Sequence, residues 1–366
     1  MTEKTPRAGD EQQPASVSGE QNLDDYSLPR WHDRRWRTLA DAWVAQSLRD
    51  AGIRATAPGE QQRARPWSTL IRYQSDAGPL WFKANAIGMA HEAGLYAVLQ
   101  RHCPGHVLEP VALDVERGWL LLPDGGLTLR DVEGVRTDLA MWERMLLEYA
   151  EMQRILEPHV DELFAVGMVD ATPEALTAMR DALLAPGVAT MGEPAGLTPV
   201  ERDELVAHAP AYAAQCRDLA AFGIPPTLQH DDLHDHNAFV PETPGGPLRV
   251  FDWGDAVVGH PFGTLLISLR FVADLARLDY GAPELLRLRD AYLEPWTGDF
   301  DRADLLEAAR LAVRVGGVTR ADCYRRAMLE ADPSLPDPFG EGVPTWLKEQ
   351  RGPTPLEPAG PPPEDR

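Results

Sequence analysis

The chain predicts an α+β architecture of two unequal lobes, a small antiparallel β lobe followed by a larger, mostly helical one. Three observations predict it. After a first helical stretch, β-type runs and a second helical pattern follow between residues 68 and 122 in the order β-β-α-β-β. Pro123-Asp124-Gly125-Gly126 then breaks the pattern. Beyond that break, almost every apolar-periodic stretch has helical spacing.

Within the first lobe, residues 35–51 form an amphipathic helical stretch. Residues 68–73 and 80–84 are short β runs joined by Ser75-Asp76-Ala77-Gly78, a good hairpin turn. Residues 89–101 place Ala93, Tyr96, Ala97 and Leu99 at helical spacing and stop before Cys103-Pro104-Gly105. Residues 111–114 and 118–122 read as a second hairpin. In the second lobe, residues 138–156, 173–184, 199–221, 283–293 and 301–329 are helical, the last as one helix or two. The exception is 227–255, where apolar runs at 238–240 and 248–251 flank a Pro/Gly-rich turn, again a hairpin. The resulting division is a disordered tail over 1–28, a β-rich nucleotide-binding lobe over 29–122, and a hinge at 123–126. A helical lobe with the catalytic loop and acceptor site spans 127–350, and a Pro-rich tail covers 351–366.

The bulk numbers narrow the partners. With 57 acidic and 35 basic residues the formal charge is −22, which disfavours nucleic acid, since phosphate contacts need a basic face. Such acidity serves mainly solubility, although it can also steer a cationic small molecule. No apolar run approaches the roughly 20 residues of a membrane span. The first 25 residues lack the apolar core of a secretory signal, so the expected location is the cytoplasm. Three dispersed cysteines, Cys103, Cys216 and Cys323, argue against a disulfide framework or a thiolate zinc site. Oligomeric state is not legible.

The chemistry concentrates in two segments. Residues 230–237 read His-Asp-Asp-Leu-His-Asp-His-Asn, and 250–254 read Val-Phe-Asp-Trp-Gly. So many ionisable side chains together would carry a large desolvation cost unless a metal or substrate charge offset it. Phosphoryl transfer uses such groups: a carboxylate to orient the acceptor hydroxyl, oxygen ligands for Mg²⁺, and a cation on the non-transferred phosphates. Asp232 fits the base, Asn237 and Asp252 the metal ligands, and Lys83 the phosphate clamp. Lys83 lies in the apolar strand Trp81-Phe82-Lys83-Ala84, and Glu92, opening the next helix, is its expected partner.

His-x-Asp-Leu-x-x-x-Asn followed by Asp-Trp-Gly resembles the aminoglycoside phosphotransferase family, a branch of the protein-kinase-like fold. The resemblance spans roughly residues 60–330 in order: strand lysine, helix glutamate, hinge, catalytic loop, metal aspartate. It implies a kinase-like bilobal fold, an ATP or GTP co-substrate, Mg²⁺, and a small-molecule hydroxyl acceptor. It also implies that Asp232 is the catalytic base, that Asn237 and Asp252 bind Mg²⁺, and that Lys83, held by Glu92, contacts the α/β-phosphates. The hinge near Leu121–Asp124, Leu122 included, would bind adenine through its backbone. Three departures stand out. Asp231 occupies a position where glycine is commonest, and His260 replaces the aspartate of a Gly-Asp-Pro continuation. No glycine-rich loop precedes Lys83, so Ser68 or Thr69 is the expected phosphate donor there.

His230 is expected to support the loop, whereas His234, Asp235 and His236 are equally suited to acceptor contact and to a solvated loop. Acidic residues around the loop (Asp231, Asp235, Asp255) favour a cationic acceptor. The rival readings are a metal-dependent hydrolase built on the His/Asp cluster 230–236 and a catalytically inactive nucleotide-binding module. The first leaves Lys83 and Asp252 without a role, and the second does not explain why base, lysine and metal aspartate all persist.

Overall fold

The structure, a computed structural model, describes residues 26–185, 196–332 and 342–357. The first lobe contains α1 (Arg34–Asp50), β1 (Glu60–Ala64), β2 (Ser68–Ser75), β3 (Gly78–Asn85), α2 (His91–His102), β4 (Ala112–Asp114) and β5 (Trp119–Pro123). Its five strands form one antiparallel sheet in the order β1-β2-β3-β5-β4. The strand missing from the sequence reading is β1. Its residues, Glu-Gln-Gln-Arg-Ala, have no apolar alternation, and tertiary pairing with β2 makes it a strand, with an irregularity between Gln61 and Arg63. The β2–β3 hairpin turns at Gly78, whose φ of +104° a side chain would strain.

Asp33 caps α1 by accepting the N–H groups of Arg35 and Trp36 at 2.7 and 3.0 Å. The helix lays Trp36 and Trp43 on one face of the sheet, where with Trp119 they surround Phe82 at centroid distances of 5.4–6.4 Å. Tilted and edge-on contacts of this kind add about 0.5–1.5 kcal/mol per pair beyond area burial. Because side chains alternate along a strand, sinking Phe82 into this cluster turns Lys83 to the opposite face, toward α2 and the cleft.

The second lobe comprises α3 (Leu139–Leu156), α4 (Val160–Ala165), β6 (Asp170–Ala171), α5 (Pro173–Leu183), α6 (Pro199–Ala221), β7 (Thr227–Gln229), β8 (Ala238–Phe239), β9 (Arg249–Val250), β10 (Val257–Gly259), α7 (Leu265–Ala276), α8 (Pro283–Leu293), α9 (Arg302–Val315), α10 (Gly317–Ala327) and α11 (Gly342–Glu349). The expected hairpin is the β8–β9 pair, and β6, β10 and β7 make a second small sheet. The long helical stretch at 301–329 divides at Gly316. Buried Gln153 of α3 fastens this region, donating to Leu228 O at 2.7 Å and Pro261 O at 3.2 Å and accepting from the Tyr292 hydroxyl.

Helix α10 reaches both lobes. Thr319 and Arg320 face the loop after β7, whereas Arg326 donates to Gly88 O at 3.1 Å and Gly254 O at 3.3 Å. A side chain at Gly88 would collide with the Arg326 backbone, so the chains approach closely there.

Two boundaries differ from expectation. Leu28, assigned to the N-terminal tail, is buried in the small-lobe core. Residues 351–357, assigned to the C-terminal tail, are packed down: Leu356 is buried, Pro355 O accepts from Gly281 N at 3.0 Å, and Glu357 pairs with Arg310 and Arg314. The rest of both expected tails, 1–25 and 358–366, lies outside the described residues. Among the described residues no helix is long and apolar enough to cross a membrane.

Candidate active site

Strand β3, helix α2 and the segment after β9 converge on one ammonium group. Lys83 Nζ lies 2.6 Å from Glu92 Oε2 and 2.5 Å from Asp252 Oδ1. Burial alone would lower the Lys83 pKa, but the two carboxylates outweigh it and raise the value. Burial works against the Asp252 charge too, yet Lys83 and then Arg63 hold its carboxyl well below the ordinary range. Glu92 does more than pair. Its Oε2 also accepts from Asn85 Nδ2 at 2.8 Å, and its Oε1 accepts the N–H of Trp253 at 3.0 Å. One buried carboxylate thus fixes the lysine, the end of β3, and the residue after Asp252.

Asp252 itself has φ of +63°, the left-handed region that costs an L-residue about 1–2 kcal/mol. Neighbouring bonds hold that conformation. Phe251 N donates to Asn237 O at 3.0 Å, and His230 Nε2 lies 3.0 Å from Phe251 O. His230 Nδ1 accepts from Asp232 N at 3.3 Å, so the ring is neutral with its proton on Nε2. Burial lowers its pKa, which keeps it neutral. His230 therefore ties the catalytic loop to the Asp252 segment, the supporting role read from sequence.

Asp231 occupies the glycine-favoured position and has the left-handed backbone that explains the preference, φ +63°. Aspartate tolerates that region better than most residues. Its buried Oδ1 accepts from Gln229 Nε2 at 2.7 Å and Thr319 Oγ1 at 2.8 Å. Burial pushes its carboxyl up to about 7.

Asp232 opens into the cleft. Asn237 Nδ2 donates to its backbone O at 2.9 Å and to Oδ2 at 3.2 Å, and Arg320 NH2 stands 3.4 Å from Oδ1. Burial would raise the Asp232 pKa, but Arg320 and then His234 keep it below the usual value, so the carboxylate is ionised. A cavity of about 210 Å³ is lined by Lys83, Asp232 and Asp252, together with Arg63, Trp67, Asn85, Met89 and Arg320.

Five of these lining residues had no site role in the sequence reading. Arg63, Trp67, Asn85 and Met89 come from the small lobe and Arg320 from α10. Arginines and aromatics far along the chain carry no local signal that they share a cavity. Ser68 does not line it: its side chain is fully buried on β2 opposite Asn85. Thr69 Oγ1 is committed to Arg63 O and Gln61. The Ser68 and Thr69 hydroxyls therefore do not line the cavity, whereas Arg63 does. Leu122 lies farther along β5, opposite Trp81, outside the lining. The hinge beside it is closely packed, with Gly125 lying against the ring of Phe239, which stacks on Phe251 at 4.2 Å.

The tripeptide left open by the sequence divides clearly. Asp235 is buried and accepts from Arg130 NH2 at 2.8 Å and Nε at 3.2 Å, with Arg136 at 3.7 Å. His234 is buried, stacks on Phe271 at 4.1 Å, and lies 3.5 Å from Asp232 Oδ2. His236 is exposed, 3.2 Å from Arg130 NH1. His234 and His236 thus both face Arg130, at 3.4 and 3.2 Å, and among the described residues 230–236 contribute to no group of three clustered metal-ligating atoms. The ground for a cationic acceptor weakens, because Asp235 is paired with Arg130 and Asp255 with Arg320 at 2.9 Å, while Asp231 is buried. His260 accepts from Phe262 N at 3.3 Å and so caps a turn of helix; burial lowers its pKa to about 3, so it caps without a buried charge.

Two lobes joined by a hinge, with a strand lysine held by a helix glutamate opposite an aspartate in the cleft, define a protein-kinase-like fold. The phosphotransferase enzyme family matches residues 74–306, and the chain belongs to that family, the aminoglycoside phosphotransferase type. Solved structures agree on the fold. Amicoumacin kinase hAmiN, in complex with AMP-PNP, Ca²⁺ and Ami, is similar at 12% identity and TM-score 0.55, over 90% of this chain and 98% of that one. Choline kinase LicA from Streptococcus pneumoniae is similar at 12% identity and TM-score 0.52, over 86% and 99%. A macrolide 2'-phosphotransferase type I is similar at 15% identity and TM-score 0.50, over 76% and 89%. No curated protein matches the sequence.

Proposed function

We propose that this phosphotransferase moves the γ-phosphoryl group of ATP or GTP to a hydroxyl of a small molecule, with Mg²⁺. The observation that carries the reading is the ionised Asp232, which shares one cavity with Lys83 and Asp252. In the step, the acceptor oxygen bonds to the γ-phosphorus, the bond from that phosphorus to the β,γ-bridging oxygen breaks, and Asp232 takes the hydroxyl proton. Lys83 and Arg63 supply positive charge for the non-transferred phosphates.

The donor set suits a hard cation. Asp252 offers a carboxylate facing the cavity, and Asn237, whose Nδ2 is committed to Asp232, keeps its amide oxygen. When bound there, Mg²⁺ would offset charge on the β/γ-phosphates. The acceptor is a hydroxyl compound with no charge preference drawn from the loop itself.

Asp232→Asn tests the reading. Turnover should fall by about a thousandfold or more, as loss of a general base and its electrostatics implies, while nucleotide affinity by calorimetry holds. A screen of hydroxyl acceptors for nucleotide consumption supplies the substrate, and full turnover in the variant would remove Asp232 from the chemistry.

A further inference from the structure

Outside the cleft, three metal-ligating side chains from two stretches of chain converge at the lobe boundary. His102 ends α2, His159 lies in a single helical turn after α3, and Glu162 opens α4. His102 Nε2 and His159 Nδ1 each lie 3.1 Å from the same oxygen, Glu162 Oε1. The two imidazoles stack with centroids 3.5 Å apart and planes inclined by 21°. All three offered ligand atoms fall within 4.8 Å of one another, and the residues are only half-buried. Among the described residues this is the only such group of three.

We propose that His102, His159 and Glu162 form a binding site for a divalent transition ion of the zinc class, which clamps the far end of α2 to the second lobe. The spacing fits. With metal–nitrogen and metal–oxygen bonds near 2.0–2.2 Å, neighbouring ligand atoms of a tetrahedral ion lie about 3.3 Å apart. The two histidine–glutamate separations are already close to that, so a small opening of the cluster admits the ion. Two imidazoles and a carboxylate select zinc, cobalt, nickel or copper over magnesium. Solvent, reaching these half-buried side chains, supplies the fourth ligand. Arg101 pairs with the other oxygen of Glu162, which holds the carboxylate in place and leaves Oε1 to face the histidines.

The site matters because of what α2 carries. Glu92, in its first turn, holds Lys83. Two residues on, Gly94 leaves so little room that an added Cβ would lie 2.7 Å from the Val166 side chain. A metal at His102 would secure the other end of the same helix against the segment 157–165. The proposal does not depend on the phosphotransfer reading, because it concerns where α2 is anchored.

The test titrates Co²⁺ into the full-length chain in Mg²⁺-containing buffer without nucleotide. One equivalent should bind with the intense visible bands of a four-coordinate ion, and Zn²⁺ should displace it. Zn²⁺ should also raise the melting temperature. His159→Ala should lose both effects, and His102→Gln, which keeps a hydrogen bond to Glu162, guards against a variant that merely misfolds. Two results would overturn the proposal: no saturable Co²⁺ binding in the wild type, or binding that survives in both variants and so belongs elsewhere. In the first, the triad is a hydrogen-bonded cluster only.

Discussion

Arg320 places its guanidinium 3.4 Å from Asp232 Oδ1 and 2.9 Å from Asp255 Oδ2, and it also donates to the backbone oxygen of Asp231 at 2.6 Å. This buried arginine is the largest influence lowering the pKa of Asp232. Replacing it with methionine should raise that pKa. An acid that must be ionised to accept a proton loses activity as pH falls through its pKa, so the acidic limb of the kcat/KM profile should move to higher pH. The variant should also be less stable, by about 3–5 kcal/mol, as expected when one partner of a buried ionic cluster is removed. An unmoved acidic limb would mean that Arg320 does not govern the base.

Glu92 links Lys83, Asn85 and Trp253 N through two oxygens. In Glu92→Gln the amide oxygen still accepts from Trp253, but the charge on Lys83 is balanced by Asp252 alone. The lysine should shift toward Asp252. The KM for nucleotide should rise by about tenfold, a loss of roughly 1.4 kcal/mol. Steady-state kinetics with varied nucleotide measure it, and a change confined to kcat would contradict a positioning role.

Asp231 supplies a pH signature. Its carboxyl, raised by burial to about 7, binds its proton more tightly in the folded chain than in the unfolded one, where the pKa is about 3.9. Such a group adds stability that is complete below the unfolded value and lost as pH rises through the folded value. Asn in its place cannot ionise and tolerates the same left-handed backbone. Relative to wild type, Asp231→Asn should therefore become more stable, or less destabilised, between pH 5 and pH 8 in urea denaturation. A difference that stays flat with pH would show that the carboxyl does not titrate there.

Gly125 packs against Phe239, itself stacked on Phe251 next to Asp252. A methyl group at 125 would overlap that ring. Gly125→Ala should displace the hinge, at a stability cost of about 1–3 kcal/mol, and weaken nucleotide binding by calorimetry. Unaltered affinity would separate the hinge from the nucleotide.

Much of this was legible in the chain because it is local. The Phe82-Lys83 alternation, the helix that starts near Glu92 and the loop from His230 to Asn237 each carry their signal within a dozen residues. What was not legible depends on tertiary pairing. Strand β1 is polar throughout, and β6, β7 and β10 are two or three residues long, too short for a periodicity. The partners of His234 and Asp235 lie on α7 and in the segment after the hinge, about 37 and 105 positions away in sequence.

The family's match stops at residue 306, whereas Thr319, Arg320 and Arg326 lie beyond it and Arg63 and Trp67 precede its start at 74. A chain trimmed to that recognisable stretch would retain every diagnostic motif. It would lack the counter-charge beside its base, the prop under Asp231, and the bracket that joins α10 to Gly88. The stretch that carries the recognisable motifs is thus shorter than the stretch that encloses them.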